Sequence, residues 1–173
     1  GEKICGFQGG NRIVSAPFIT EKKVYVSSTD GNIYALDRTS GTKVWEYATG
    51  YPVVASPLVV GDTLYVGSSN EKFHAVDALQ GRCIWVSEGF PGYMESRPCA
   101  DEKHIYTGGW EGRFWAIDRL SGRKVWEHNI GKGRYFSPGA CWPVIAEGKI
   151  FVQSSDKVLR GYTPDGAVIW ENT

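Results

Sequence analysis

The residues of this 173-residue chain that could do chemistry are few, and their spacing matches no catalytic or metal-binding pattern. The three histidines, His74, His104 and His128, share no ligand spacing, and we expect His74 to be a packed strand residue. No GxSxG, HExxH or phosphate-binding loop occurs. The residues that could bind calcium lie in turn-like sequences: Asp30, Asn32, Asn70 and Asp156. We therefore expect turns from them and assign no catalytic, cofactor-binding or metal-binding residue.

The four cysteines form no CxxC pair and lie far apart in sequence, at Cys5, Cys83, Cys99 and Cys141. We interpret them as small apolar residues of a core. The alternative is a disulfide between Cys99 and Cys141, since each flanks a proline of the repeat described below. The number of cysteines does not indicate a cellular compartment.

Aromatic and charged residues between the apolar segments are better suited to recognition than to catalysis. These candidates are Tyr51, Tyr93, Met94, Glu95, Trp110, Glu111, Arg113, Arg134, Tyr135 and Phe136. One hypothesis is a binding surface for a polypeptide or a glycan. The other is that the aromatic rings fold back and cover the ends of the sheets.

The elements that position these residues form an internal repeat. One tryptophan recurs at intervals of 40, 41 and 44 residues, at Trp45, Trp85, Trp126 and Trp170. A proline recurs with nearly the same period, at Pro17, Pro57, Pro98 and Pro143. A period in this range is typical of repeat architectures. Each unit reads as four short strands, A to D, separated by Gly-containing turns.

Adjacent positions of the B strands are apolar, as in Val24-Tyr25 and Leu64-Tyr65. Because neighbouring strand residues point to opposite faces, both faces of each sheet are expected to be buried. Small antiparallel sheets buried on both faces stack radially, so the sequence predicts an all-β propeller of four-stranded antiparallel blades, with four blades present.

Three units share the pattern Ala-x-Asp-x-x-x-Gly-x-x-x-Trp. We predict that the Gly allows a positive φ in the turn before strand D, that the Asp bonds the turn's N–H groups, and that the Trp packs against the neighbouring blade. The predicted docking residues are Ala35, Asp37, Gly41, Trp45, Ala75, Asp77, Gly81, Trp85, Ala116, Asp118, Gly122, Trp126 and, from the worn fourth copy, Trp170.

This pattern resembles the tryptophan-docking motif of the PQQ-like (quinoprotein-type) β-propeller repeats. The fourth copy departs from it, with Gly161 for Ala and Thr163 for Asp, and it is one residue shorter. The resemblance implies a structural role for the motif and a ring of seven or eight blades. Quinoprotein dehydrogenases carry an adjacent Cys-Cys pair over the cofactor, which this chain lacks, so neither PQQ nor calcium is expected.

Residues 1–8 align with a D strand, so we predict that they belong to a preceding blade. Four blades follow, at 12–50, 53–90, 94–131 and 138–173. The outer faces of the first and last blades would be exposed apolar surfaces, and three alternatives explain how they are covered. The chain is a segment of a longer propeller, it pairs with a second copy or another chain to complete the ring, or it closes as a four-bladed propeller.

The charge and hydropathy of the chain exclude some partners. The net charge is zero, so no basic surface for nucleic acid is indicated, and no apolar run is long enough for a membrane span. The resemblance favours a non-catalytic binding or scaffolding module with a protein or glycan partner, periplasmic or otherwise extracytoplasmic. The alternatives are an accessory propeller of a larger phosphoesterase, kinase or dehydrogenase, and half of a PQQ-dependent dehydrogenase.

Overall fold

The computed structural model describes residues 6–131, 142–154 and 156–172. Within these ranges the chain forms four antiparallel four-stranded sheets, each a simple meander in which strands follow in chain order. We call the sheets blades 1 to 4 and keep the letters A to D for the strands of each. The described residues include no helix that is long and apolar enough to span a membrane.

The strands are short, as the spacing of the turn residues predicts. Blade 1 consists of β1 (Phe18–Ile19), β2 (Lys23–Ser27), β3 (Asn32–Asp37) and β4 (Lys43–Ala48). Blade 2 consists of β5 (Leu58–Val60), β6 (Thr63–Gly67), β7 (Lys72–Asp77) and β8 (Cys83–Glu88). Blade 3 consists of β9 (Cys99–Ala100), β10 (His104–Gly108), β11 (Arg113–Asp118) and β12 (Lys124–Asn129). Blade 4 consists of β13 (Val144–Ala146), β14 (Lys149–Gln153), β15 (Leu159–Tyr162) and β16 (Val168–Asn172).

The meander gives each blade two different ends. The A–B and C–D turns lie at one end, which we call the turn face, and the B–C and D–A loops lie at the other, which we call the loop face. The register shifts at the same place in every C–D pair, directly after Ala35, Ala75, Ala116 and Gly161. The repeated sequence therefore produces a repeated bulge.

The core lies between consecutive blades. Between blades 1 and 2, for example, Tyr25 and Trp45 pack with Leu64 and Val76 in one buried cluster. Because both faces of blades 2 and 3 are covered in this way, successive residues of their B and C strands are buried. The outer D strands are the most exposed part of each blade.

Two predicted elements fall partly on residues that the structure does not describe. Of the strand predicted over residues 1–8, only residues 6–8 are described, so this strand stays a prediction. The predicted unit 138–173 includes residues 138–141, which also lie outside the described ranges, and its first observed strand begins at Val144.

Candidate functional site

Three indoles connect consecutive blades through hydrogen bonds to the turn face. Nε1 of Trp45 donates to the carbonyl oxygen of Ala78 at 3.1 Å. Trp85 donates to Arg119 O at 3.0 Å, and Trp126 donates to Pro164 O at 2.9 Å. Each acceptor lies in the C–D turn of the following blade, so every indole spans one junction between sheets.

The turns that receive these indoles need glycine. Gly81 has a φ of 73°, and a Cβ built on it would lie 2.7 Å from the Trp45 ring. Gly122 receives Trp85 in the same way, also at 2.7 Å. The repeat glycine therefore provides both the left-handed backbone of the turn and the space for the neighbouring indole.

The repeat aspartates stabilise the same turns. Oδ1 of Asp77 accepts the N–H groups of Leu79 and Gln80, both at 2.8 Å. At the equivalent Asp37 and Asp118, hydrogen bonds from the turn serine lower the pKa of the carboxyl group.

On the loop face, the structure brings together Tyr93 and Trp110, two of the predicted recognition residues. Their rings meet edge to face, with centroids 6.0 Å apart, and the backbone N–H of Trp110 donates to Tyr93 O at 3.1 Å. Tyr93 remains 53% exposed, whereas Nε1 of Trp110 is buried and has no acceptor among the described residues. Glu111 packs beside them, its Cγ 3.0 Å from the position of a Cβ on Gly92.

The other predicted recognition residues are dispersed. Tyr51 lies at the junction of blades 1 and 2 and is 58% exposed. Arg113 forms an ion pair with Glu127, which also accepts the indole N–H of Trp115 at 2.9 Å, so its charge is already paired. Met94 is fully buried against Gly67, which removes it from the surface.

A cavity of about 520 Å³ opens among the D–A segments of all four blades, and we call it the axial cavity. Val14, Ser56, Glu95 and Trp142 line it, one residue from each blade. Trp142 is 54% exposed. Sequence reasoning missed Trp142, although a signal exists: it precedes the repeat proline, where the other units have Ala16, Ser56 and Arg97.

Some predictions concern residues outside the described ranges, namely Arg134, Tyr135 and Phe136 of the recognition set and the cysteines Cys5 and Cys141. Cys99 has no disulfide partner among the described residues, and burial raises the pKa of its thiol to about 12. The expectation that all four cysteines are buried is wrong for Cys83, which is exposed because it lies in an outer D strand.

The histidines and acidic turns have structural partners. His74 is buried, its Nδ1 lying 3.2 Å from Tyr47 Oη and its Nε2 lying 3.1 Å from Ser68 Oγ. Desolvation lowers its pKa to about 4. Asp30 accepts the N–H of Asn32 within its own turn, at 2.8 Å. Over the described residues, no group of three or more His, Cys, Asp or Glu side chains could hold a metal ion.

Comparison with known proteins identifies relatives by sequence and by fold. A family model described as outer membrane protein assembly factor BamB matches residues 7–88 and again residues 88–173. A search of the curated proteins finds no match.

Several solved structures are similar. BamB from Moraxella catarrhalis has a TM-score of 0.80 at 20% identity, over 95% of this chain and 54% of that one. The computationally designed Ika4 protein has a TM-score of 0.80 at 13% identity, over 94% of this chain and 98% of that one. The quinohemoprotein alcohol dehydrogenase ADHIIG from Pseudomonas putida HK5 has a TM-score of 0.77 at 15% identity, over 96% of this chain and 35% of that one.

These likenesses confirm the predicted fold, an all-β propeller segment with four blades. The chain spans about half the length of the BamB structure that it matches. Because all of these identities are low, the solved structures establish the architecture alone.

Proposed function

The chain belongs to the family of outer membrane protein assembly factor BamB, and from this premise we propose that it is a non-catalytic module of the cell envelope that binds a polypeptide through its loop face. The family description concerns protein assembly, which favours a polypeptide over a glycan as the partner. The propeller would act by holding loops in fixed positions, so that little conformational entropy is lost on binding.

The observation that carries this proposal is the set of exposed aromatic rings on the loop face. Tyr51, Tyr93 and Trp142 are each more than half exposed, although large aromatic side chains are usually buried when no partner covers them. Exposed Tyr and Trp next to a concave surface are typical of binding hot spots. The axial cavity beside Trp142 provides that concavity and contributes the carboxylate of Glu95.

Substitution on the two faces tests the proposal. We expect Tyr93→Ala and Trp142→Ala each to weaken binding of an envelope polypeptide, captured from cells and measured by quantitative mass spectrometry. Loss of one such ring typically costs about 2 kcal/mol or more of binding free energy. Leu120→Ala is the matched control, because Leu120 is 89% exposed on the turn face. Equal capture by all three variants would contradict a role for the loop face.

We also propose that the chain binds neither PQQ nor calcium. The quinoprotein resemblance raises this possibility, but the sequence has no adjacent cysteine pair, and the described residues offer no group of three metal ligands. Titration with PQQ and calcium, followed by absorbance, should show no saturable complex. A stoichiometric complex would instead favour half of a PQQ-dependent dehydrogenase.

We further propose that another blade covers the open face of blade 4. Val144, Phe151 and Trp170 lie in one row across this sheet, and Leu159, two residues before Gly161 of that row, points to the same face. Val144, Leu159 and Trp170 are at least 40% exposed. The equivalent residues of the other blades are packed against a following sheet. Light scattering at several concentrations tests whether a second copy is the source of this blade: a concentration-dependent dimer would indicate a second copy, and a monomer at every concentration would exclude it.

A further inference from the structure

Four arginines in the described part of the chain are at least partly buried, and they differ in how their N–H groups are paired. Arg113 pairs with Glu127, and Arg160 pairs with Asp156 and Glu171. A buried guanidinium requires such acceptors, because removing its charge and its five N–H donors from water costs free energy. These two arginines are therefore paired within their own blades.

The other two partly buried arginines each lie over an aromatic ring. The guanidinium carbon of Arg119 is 5.8 Å from the centroid of the Tyr65 ring. That of Arg97 is 5.3 Å from the centroid of the Phe18 ring. Stacking uses the face of a guanidinium and leaves the N–H groups in its plane available to acceptors. Arg119 donates from this plane to Asp101 O, in its own blade, at 2.8 Å.

Arg97 differs from the other three because its in-plane N–H groups have no acceptor. Its side chain donates no hydrogen bond and forms no ion pair with any residue that the structure describes. Glu95, which lines the adjoining axial cavity, also leaves it unpaired. Arg97 thus has an aromatic neighbour, Phe18 of blade 1, and no anionic one.

Arg97 lines a groove of about 400 Å³ that follows the A strands of blades 2, 3 and 4, and we call it the A-strand groove. Its walls are mainly apolar and include Leu58, Val60 and Val144. Trp142 lines both this groove and the axial cavity, so the two adjoin at that ring. Arg97 and Trp142 each directly precede a repeat proline, so both lie at the loop-face ends of their A strands.

From these observations we propose that Arg97 binds the side-chain carboxylate of a glutamate on the partner polypeptide. This inference rests on the proposed loop-face function and specifies one contact within it. A carboxylate accepts two parallel N–H bonds in the plane that the stacking on Phe18 leaves open. The apolar walls of the A-strand groove strengthen such a pair, because they limit its hydration. A glutamate fits better than an aspartate, since its additional methylene group buries more apolar surface against Trp142.

The test uses the 173-residue chain and Nα-acetyl-L-glutamate α-amide as the probe, at constant ionic strength, observed by NMR through the indole ¹H–¹⁵N resonance of Trp142. We expect a saturable shift with a dissociation constant on the order of 10 mM, as for a small ligand with one ion pair. Nα-acetyl-L-glutamine amide has nearly the same shape without the charge and should give no saturable shift. Equal shifts from the two probes, or no saturation by the glutamate probe up to about 100 mM, would overturn the proposal.

A third probe distinguishes a side-chain carboxylate from the carboxylate at the end of a chain. Nα-acetyl-L-leucine carries only the second kind and should bind at least about threefold more weakly than the glutamate probe. Equal or tighter binding of the leucine probe would show that a chain terminus is the ligand and would contradict the assignment to glutamate.

Two variants locate the site. Arg97→Met keeps an unbranched apolar stem beside Phe18 and removes the charge, so it should abolish saturable binding of the glutamate probe. It should unfold at about the same urea concentration as wild type, because Arg97 donates no hydrogen bond within the described chain. Arg123→Met is the matched control, since Arg123 is exposed on the turn face, and it should bind as wild type does. Unchanged binding by Arg97→Met, or an equal loss in both variants, would overturn the proposal.

The capture experiment separates this proposal from the loop-face function on which it rests. Arg97→Met should reduce capture of the same envelope polypeptide that Tyr93→Ala reduces. If Tyr93→Ala reduced capture while Arg97→Met and the glutamate probe had no effect, the loop-face function would stand and the assignment of Arg97 would be wrong.

Discussion

The internal junctions and the open face of blade 4 carry the same repeat residues in different surroundings. Trp45, at the first junction, is 9% exposed, whereas Trp170, at the equivalent position of the last blade, is 40% exposed. In both cases the indole is paired across the strands with the small residue of the motif, Ala35 or Gly161. The motif residues thus place the indole on the face of their own blade, and the following blade buries it.

The difference shows where the energy of the docking residues arises. Nε1 of Trp45, Trp85 and Trp126 each finds a carbonyl acceptor in the next blade, and Trp170 has none among the described residues. Burying one Trp removes about 150–250 Å² from water, which corresponds to an upper limit of roughly 4–6 kcal/mol per junction. This contribution depends on the neighbouring sheet, and strand pairing within the blade does not supply it.

The largest expected effect comes from removing an indole at a junction. Trp85→Ala should lower the free energy of unfolding by about 3–5 kcal/mol, because it leaves a cavity between blades 2 and 3. Trp170→Ala makes the same chemical change on the open face and should cost about 1 kcal/mol or less. Urea denaturation of both variants measures the difference. Equal losses, or a loss below about 1 kcal/mol for Trp85→Ala, would contradict the account.

The second expected effect is a loss of stability at low pH that arises from His74. This residue is buried in blade 2, and its ring contacts Tyr47 of blade 1. Its pKa in the folded state is about 4, below the ordinary value of 6.5. Between these values the unfolded state binds the proton and the folded state does not, so stability falls as the pH decreases from about 6.5 to about 4. The loss should reach about 3 kcal/mol, as measured by urea denaturation across this pH range.

A matched variant isolates this contribution from the other titrating groups. His74→Phe keeps an aromatic ring, as at the equivalent Tyr34 and Trp115, and removes the titration. The difference in stability between wild type and variant should therefore change with pH over this window. If both proteins lost stability in parallel, His74 would not be held neutral at the junction.

The smallest expected difference separates the two roles of the repeat glycine. Gly81 and Gly50 both have positive φ, but a Cβ on Gly81 would meet the Trp45 ring, whereas a Cβ on Gly50 meets nothing within 4 Å. An alanine should cost about 1–2 kcal/mol at either position for the left-handed backbone. Gly81→Ala should cost about 1–3 kcal/mol more by overpacking. Thermal or urea unfolding of the pair would show whether the junction requires this space.

The fold could be predicted from the sequence because the same local pattern occurs four times. Few folds are compatible with a period near 40 residues in which glycine-containing turns separate short apolar B and C strands. The sequence-based prediction was wrong at a position where one copy of the repeat has a different residue from the others. Cys83 could not be assigned as exposed from its residue type, since its exposure follows from lying in an outer strand.

The candidate sites were less predictable because they depend on contacts between blades. Tyr93 and Trp110 lie 17 residues apart and meet only through the packing of adjacent loops. The pairing of Arg113 with Glu127 and the burial of Met94 likewise require the folded chain.

The most direct test of the central claim, that each repeat indole is fixed by the next blade, is hydrogen exchange at the four indole N–H groups observed by NMR. The account predicts slow exchange for Trp45, Trp85 and Trp126, which donate to carbonyl oxygens across a junction. It predicts fast exchange for Trp170, which is 40% exposed. Equally fast exchange at all four indoles would contradict the claim.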